Sequence, residues 1–439
     1  MSDFFFARSQ MAMSLAFHII FAALGIGMPL LMAFAEGMYL RTRHPVYLDL
    51  SKRWARGTAV LFAVGAVSGT VLSFELGLLW PSFMEKAGAI IGMPFSLEGF
   101  AFFTEAIFIG VYLYGWNRLS PFLHWLSGVV VAVSGIFSGI FVVTANAWMN
   151  APAGFKAVDG KITDIDPIAA MLNPASFHEV LHMTLAAFVA TGFAVAAVHA
   201  FFLLRDRHSL LHRSALGIAL AVASVSIPLQ IASGDFSARA VGRLQPAKLA
   251  AMEAHYRTQT GAPLLIGGIP DDATRTADYA LRIPRGLSLL LADDPNAKVV
   301  GLEEFLQSDW PNVRMVHWSF DIMVASGMTM LALAVWSGWL GWRRQPLAGH
   351  PWLLRTLVAA GPLGFVAIET GWVVTEVGRQ PWIIYGVMRT VAAVTPMPGL
   401  VVPFVAFTVL YVFLAFVVFF VLRRQFLAPP APVSATRTT

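Results

Sequence analysis

Eight residues able to carry charge or bind iron fall inside long apolar runs: His18, Glu75, Glu98, Glu105, His182, Asp321, Met323 and Glu369. A carboxylate or imidazole in hydrocarbon is costly unless it is paired, neutral or metal-bound, so each needs a reason to be there. Imidazole and thioether are axial ligands of haem iron, and His182 with Met323 suits a low-spin haem. An iron left open on one side needs a single strong protein ligand, for which His18 or Glu369 is suitable. Glu98 and Glu105 are spaced by about 10 Å along a helix, on nearly the same face. Two carboxylates stacked in that way can relay protons toward a buried reduction site. The blander readings stand beside these. Met323 is one of 18 methionines, and such a residue more often fills a core. His178, one turn before His182, is an equally good ligand on spacing alone.

The elements that position these residues are membrane spans. The chain has 439 residues, 57% hydrophobic and only 13% charged, about half the usual charged share of a soluble domain. Apolar runs at 15–35, 56–76, 95–115, 124–144, 182–203, 214–234, 318–341, 354–374 and 402–422 each reach the length that crosses a bilayer. The expected fold is therefore an all-α polytopic membrane helical bundle of about nine transmembrane helices. The first run lacks a strongly basic leader and carries His18 and Glu36, which suits a retained helix rather than a cleaved signal. Arg41, Arg43, Lys52, Arg53, Arg118, Arg205, Arg207, Arg213, Arg343, Arg344, Arg355, Arg423 and Arg424 alternate onto one side. The positive-inside rule makes that side cytoplasmic, with the N-terminus outside and the C-terminus inside. In this topology His18, Glu75, Glu98, His182, Met323 and Glu369 all belong to the outer half of the bilayer. Packing explains such a layer poorly, and cofactors explain it well. The glycines, among them Gly25, Gly27, Gly65, Gly69, Gly135 and Gly139, suit close helix packing.

The chain divides into six helices over 1–234, an extracytoplasmic loop at 235–317, three helices over 318–428 and a disordered cytoplasmic tail at 429–439. The loop exceeds ordinary connections and suggests function. Its start, "QPAKLAAMEAHYRTQ", reads as helical, with Lys248 and Glu253 on nearby faces, before "IGGIPDD" and "RIPRG" break it. The chain has no Cys, which excludes disulfides, iron–sulfur clusters and thiolate chemistry. Zinc spacing, a P-loop and a dinucleotide fingerprint are not evident, and the net charge of +5 fits cytoplasmic loops rather than nucleic-acid binding. From the residues alone, an ion-coupled transporter with intramembrane carboxylates stays open beside a haem protein.

These residues lie in segments that resemble subunit I of the cytochrome bd quinol oxidases over nearly the whole chain. The most specific is "ETGWVVTEVGRQPW" at 369–382, ending in GRQPW. "QMAMSLAFH" (10–18), "LEGFAFFTEAIFIG" (97–110), "ANAWMNAP" (145–152), "QPAKLAAMEA" (245–254) and "FDIMVASG" (320–327) match as well. The resemblance implies a quinol:oxygen oxidoreductase of the bacterial cytoplasmic (inner) membrane. Ubiquinol or menaquinol would be oxidised outside and dioxygen reduced to water with protons from inside, building a gradient without pumping. It implies haem b558, haem b595 and haem d, with a third b-type haem as the alternative to d. Partners would be subunit II and a small single-helix accessory subunit. By the same resemblance His182 and Met323 ligate haem b558, His182 being preferred over His178 by its spacing after "NP" (173–174). His18, traditionally assigned to b595, and Glu369 hold the high-spin pair. Glu98 and Glu105 lie beside that pair, Lys248 and Glu253 bind quinol, and Arg379 faces haem propionates. The loop resembles the short quinol-loop forms, some of them cyanide-insensitive. Two departures stand out. Asp321 occupies a position usually held by Arg, where an acid is expected to lower the b558 potential. The Glu98-to-Glu105 spacing is one residue shorter than the family's.

Overall fold

The computed structural model describes residues 2–158 and 161–427. The tail expected at 429–439 lies outside the described residues. Among the described residues nine helices are long and apolar enough to cross a membrane. In chain order the helices are α1 (Asp3–Thr42), α2 (Pro45–Leu79), α3 (Pro81–Tyr114), α4 (Pro121–Asn150), a short α5 (Pro167–Met171), α6 (Ser176–Arg205), α7 (Leu210–Leu244), short α8 (Pro246–Met252) and α9 (Gly286–Ala292), α10 (Val313–Trp342), α11 (Pro351–Ala360), α12 (Leu363–Gly378) and α13 (Val401–Leu427). Helices α11 and α12 together make one span, interrupted at Gly361 and Pro362.

The starts follow local chemistry. Pro45, Pro81, Pro121 and Pro351 open their helices, where the missing N–H has no intrahelical role. Ser2, Ser120, Ser209 and Asn312 cap α1, α4, α7 and α10 by accepting from backbone N–H groups of the first turn.

The helices are longer than the apolar runs. The largest difference is in α3, which begins at Pro81 rather than near residue 95. Pro94 lies inside it without ending it, and Phe83, Ala87, Ile90 and Ile91 recur at helical spacing and bury against Trp80 and Trp148. Helix α7 likewise continues to Leu244, and α10 starts at Val313. Glu98 therefore sits at the middle of α3, and His182, Asp321 and Met323 lie well inside their helices instead of opening them.

One end of the bundle gathers the start of α1, the end of α2, the start of α3 and the end of α4 around Ala7, Leu79, Trp80, Phe83 and Trp148. Asp3 joins this end to α13 by accepting from the Gly399 and Leu400 N–H groups. The loop between α7 and α10 covers the same end. It consists of α8, α9 and short ladders that pair 259–260 with 298–299, 264–266 with 281–283 and 269–271 with 276–278. Its core, including Met252, Tyr256 and Leu302, packs on Val313, Val316 and Val374 of the helices below. Helix α6 is central, touching α1, α4, α7, α11 and α12. The most apolar stretch of α6 is 67% buried, against 11% in α13, so α13 faces outward and α6 lies inside the bundle.

Candidate functional site

His18, His182 and Glu369 lie on α1, α6 and α12, which pack together, and Met323 lies on α10, which packs on α12. His18 on α1 directs Nδ1 to the Ser68 hydroxyl of α2 at 2.9 Å. His182 on α6 directs Nδ1 to the Ser233 hydroxyl of α7, also at 2.9 Å. Gln230 Nε2 lies 3.1 Å from His182 Nε2. Met323 on α10 presents its sulfur to α12, where only a glycine, Gly371, makes room: a methyl there would lie 3.1 Å from Sδ. Both α10 and α12 pack together, α12 also against α6, and α10 against α7. Glu369 is half-buried on α12 with Oε1 unpartnered.

Several fully buried histidines are arranged differently. His124 has Nδ1 2.6 Å from Glu36 and Nε2 2.8 Å from the Tyr112 carbonyl. His199 has Nε2 facing Trp54 and Nδ1 facing His212. His317 has both ring nitrogens on carbonyls, those of Met252 and Gly267. Each of these has both nitrogens engaged by protein. His178 is buried with neither nitrogen held. Among the described residues His18 has Nδ1 on a hydroxyl and Nε2 without a protein partner, the arrangement a metal-ligating imidazole needs, while His182 has Nδ1 on a hydroxyl and Nε2 beside the Gln230 amide, a donor that would have to move aside for iron to bind there.

The carboxylates run along the α3–α4 seam. Ser138 of α4 donates to Glu98 at 3.1 Å, while buried Glu105 faces Gly135 of α4, where a methyl would come within 3.4 Å of its carboxylate. Glu75 is satisfied by α1, accepting from Gln10 and Ser14 at 2.9 Å each, which gives it a role in joining α2 to α1.

A second polar cluster joins the bundle to the loop. Lys248 donates to Asn150 Oδ1 at 2.9 Å, and Gln245 donates to the Asn150 carbonyl. Glu376 accepts from Asn146 and from Arg379 Nη2. Arg379 is 2% exposed, yet its Nε and Nη1 are unpartnered. A buried guanidinium with two free donors fits an anionic group such as a propionate. Burial pushes the Lys248 amine below its ordinary value. Burial, with Asp321 adding to it, pushes the Glu253 carboxyl up to about 8. Asp321 accepts from the Gly267 N–H at 2.6 Å, so its carboxylate anchors the loop. Motif reading missed Ser68, Ser233, Asn150 and Glu376. Asn150 and Glu376 lie inside the segments 145–152 and 369–382 without being singled out, and the only signal for Ser68 and Ser233 was a small polar residue in an otherwise apolar helix.

The family model for cytochrome bd terminal oxidase subunit I matches residues 6–430. The chain belongs to that family. It is 38% identical over 98% of its length to a Bacillus subtilis (strain 168) protein described as a cytochrome bd menaquinol oxidase subunit I, and spans 98% of it. It is 32% identical to the cytochrome bd ubiquinol oxidase subunit 1 of the same organism, covering 97% of this chain and 94% of that one. The structure of bd oxidase from Geobacillus thermodenitrificans superposes with a TM-score of 0.92 at 37% identity, over 97% of this chain and 98% of that chain. As a bd-type subunit I, the chain is a multi-pass protein of the bacterial inner membrane, a b-type haem carrier and one half of a pair with a subunit II. Membership removes the transporter alternative, and the buried carboxylates belong to an oxidase.

Proposed function

We propose that this subunit oxidises quinol at the loop end and reduces dioxygen to water within the bundle, with His182 and Met323 holding haem b558. His18 and Glu369 hold the high-spin haems b595 and d, or a third b-type haem in place of d. Bound haem supplies electron transfer and the oxygen chemistry, and the chain supplies ligation, orientation and protons. The observation that carries this reading is the pair of partly buried histidines fixed through Nδ1, on helices that both pack against α12, which carries Glu369 and itself packs against the Met323 helix α10.

Lys248 and Glu253 bind quinol. Glu253 accepts a quinol proton, and the Lys248 amine positions a quinol oxygen. Arg379 directs its free donors to propionates. Glu98 and Glu105 pass protons along the α3–α4 seam toward the high-spin site. The loop end faces outward, with the N-terminus outside, so quinol protons leave on one side while consumed protons enter from the other. Residues 235–317 act as the quinol-binding loop between the helices of 1–234 and those of 318–428. A small single-helix accessory subunit joins the complex.

The test is a dithionite-reduced-minus-oxidised spectrum of the purified complex with pyridine haemochrome quantitation. Low-spin b bands with high-spin bands are expected, and a separate d band distinguishes the bd form from an all-b form. A folded complex without stoichiometric haem overturns the proposal.

A further inference from the structure

Two helix pairs from separate parts of the chain hold a histidine in the same way. In α1 and α2, His18 Nδ1 meets the Ser68 hydroxyl at 2.9 Å, and the next residue, Gly69, faces the ring edge, where a methyl would lie 3.0 Å from Cε1. In α6 and α7, His182 Nδ1 meets the Ser233 hydroxyl at 2.9 Å, and the next residue, Gly234, faces Cε1 at 3.4 Å by the same measure. Both serines also donate to carbonyls of their own helices. Ser68 donates to Val64 at 2.9 Å and Ser233 to Gln230 at 2.9 Å.

A hydroxyl has one proton to give. With that proton committed to a backbone carbonyl, Ser68 and Ser233 can only accept from the imidazole. Nδ1 then carries the hydrogen, and Nε2 keeps its lone pair. The Gln230 amide lies 3.1 Å from His182 Nε2 and 3.3 Å from Nδ1, so it reaches both ring nitrogens and the tautomer argument rests on the serines. Serines that bond back to their helices are common in apolar helices and mean little singly. What distinguishes these two is the repeated unit: serine on Nδ1, adjacent glycine on Cε1, on the helix that follows the histidine's own. The histidines held by carboxylate, carbonyl or a second imidazole lack it.

We propose that Ser68–Gly69 and Ser233–Gly234 are matched positioning pairs that fix His18 and His182 in the Nε2-ligand tautomer and tune the haem each one holds. This rests on the reading of both histidines as haem ligands. A hydrogen bond from Nδ1–H makes the imidazole a stronger donor to iron and favours the oxidised state. Removing the acceptor therefore raises the midpoint potential of that haem alone.

The experiment uses the intact oxidase complex carrying Ser68→Ala, Ser233→Ala, Ser68→Thr or Ser233→Thr, read by redox titration and difference spectra. Ser233→Ala is expected to raise the midpoint of the low-spin haem and leave the high-spin haems at their wild-type values. Ser68→Ala is expected to do the reverse, and each Thr variant to return toward wild type. The haem at the unaltered site reports that the bundle is folded. Unchanged midpoints and bands in both Ala variants, or a common shift of all haems in each, overturn the proposal. His18→Ala and His182→Ala separate this failure from that of the ligand reading. If each loses its own band while the serine variants do nothing, the ligands stand and the positioning pairs fall. If both histidine variants keep every band, the ligand reading falls and the pairs fall with it.

Discussion

The α1–α2 and α6–α7 pairs hold their histidines alike, but their surroundings differ. The His182 site continues directly into the loop. Helix α7 leads through Gln245 to α8 and Lys248, and α10, which carries Met323, also carries His317 and Asp321, both bonded to Gly267 of the loop. Among the described residues the His18 site shows no hydrogen-bonded connection of that kind to the loop, and α1 is joined to α2 through Gln10, Ser14 and Glu75. Loop chemistry thus reaches one histidine through covalent chain and hydrogen bonds and reaches the other only through packing. That division fits the proposed roles, with the residues that would hold the low-spin haem beside the quinol loop and those that would hold the high-spin pair apart from it.

The sharpest way to break this comparison is to remove one ligand at a time. His182→Ala should abolish the low-spin b band while retaining a high-spin signal, and His18→Ala should do the opposite; haemochrome-quantified difference spectra of the purified complex decide it. Loss of every band in both variants would mean the two sites assemble as one unit.

Next in size is Glu253→Gln. Burial favours the neutral carboxyl, so below about pH 8 most of the Glu253 population is protonated and cannot accept a quinol proton. Quinol oxidation in the wild-type complex should climb with pH and level off near that value. The Gln variant should lower kcat/KM by about 100-fold and flatten the climb. Its His18-dependent bands should be unchanged. Steady-state rates across the pH range, alongside spectra, test both halves. For stability the sign is the same as for any raised carboxyl: the contribution of Glu253 is fullest below its unfolded value and is lost as pH rises toward 8.

Much of this division was legible in the sequence because hydrocarbon makes polar residues conspicuous. His18, His182, Glu105 and Glu369 each interrupt an apolar run, and helix parity is what put His18, His182 and Glu369 in one expected layer. The helix ends were not legible. Hydropathy marks the part of a helix that lipid needs, whereas α3 extends to Pro81 because Phe83, Ala87 and Ile90 find tertiary partners. The serine partners were hidden for a related reason. Ser68 and Ser233 are unremarkable in a helix until a neighbouring helix supplies an imidazole, and that pairing is long-range information. Of the glycines read as sites of close approach, Gly27, Gly69, Gly135 and Gly139 are such sites, whereas a methyl at Gly25 would meet nothing within 4 Å and one at Gly65 only ordinary contact. Gly27 meets Thr191 and Gly139 meets Ile26, but Gly69 meets the His18 ring. The Asp321 departure acquires a local role, as a loop anchor, that spacing could not show.

The two pairs also differ in tightness, which a methyl group can probe. In Gly69→Ala the new atom meets Cε1 at 3.0 Å, and in Gly234→Ala it meets Cε1 at 3.4 Å. The first distance forces the ring to move, while the second is near ordinary contact. Gly69→Ala should cost about 1–3 kcal/mol and reduce high-spin haem occupancy. Gly234→Ala should cost less than about 1 kcal/mol and leave the low-spin haem nearly full. Thermal midpoints and haem-to-protein ratios rank the two, and a reversed ranking would show that α2 yields more easily than α7.

The smallest expected effect tests whether loop electrostatics stays on the His182 side. Asp321 adds to the burial that keeps Glu253 protonated, and it also anchors Gly267. In Asp321→Ala the repulsion is gone and burial remains. The inflection in quinol oxidation should move below 8 by less than about one pH unit, staying above the ordinary carboxylate range. The unpaired Gly267 N–H should loosen the loop by about 1–3 kcal/mol, seen as faster limited proteolysis between α8 and α10. If the Asp321 charge acts on the low-spin haem as well, its midpoint rises when the acid is removed, while the His18-held haem stays where it was. A shift at the His18 site of equal size would show that the loop's field spans the bundle, and the connection through α7 and α10 would then not be what separates the two sites.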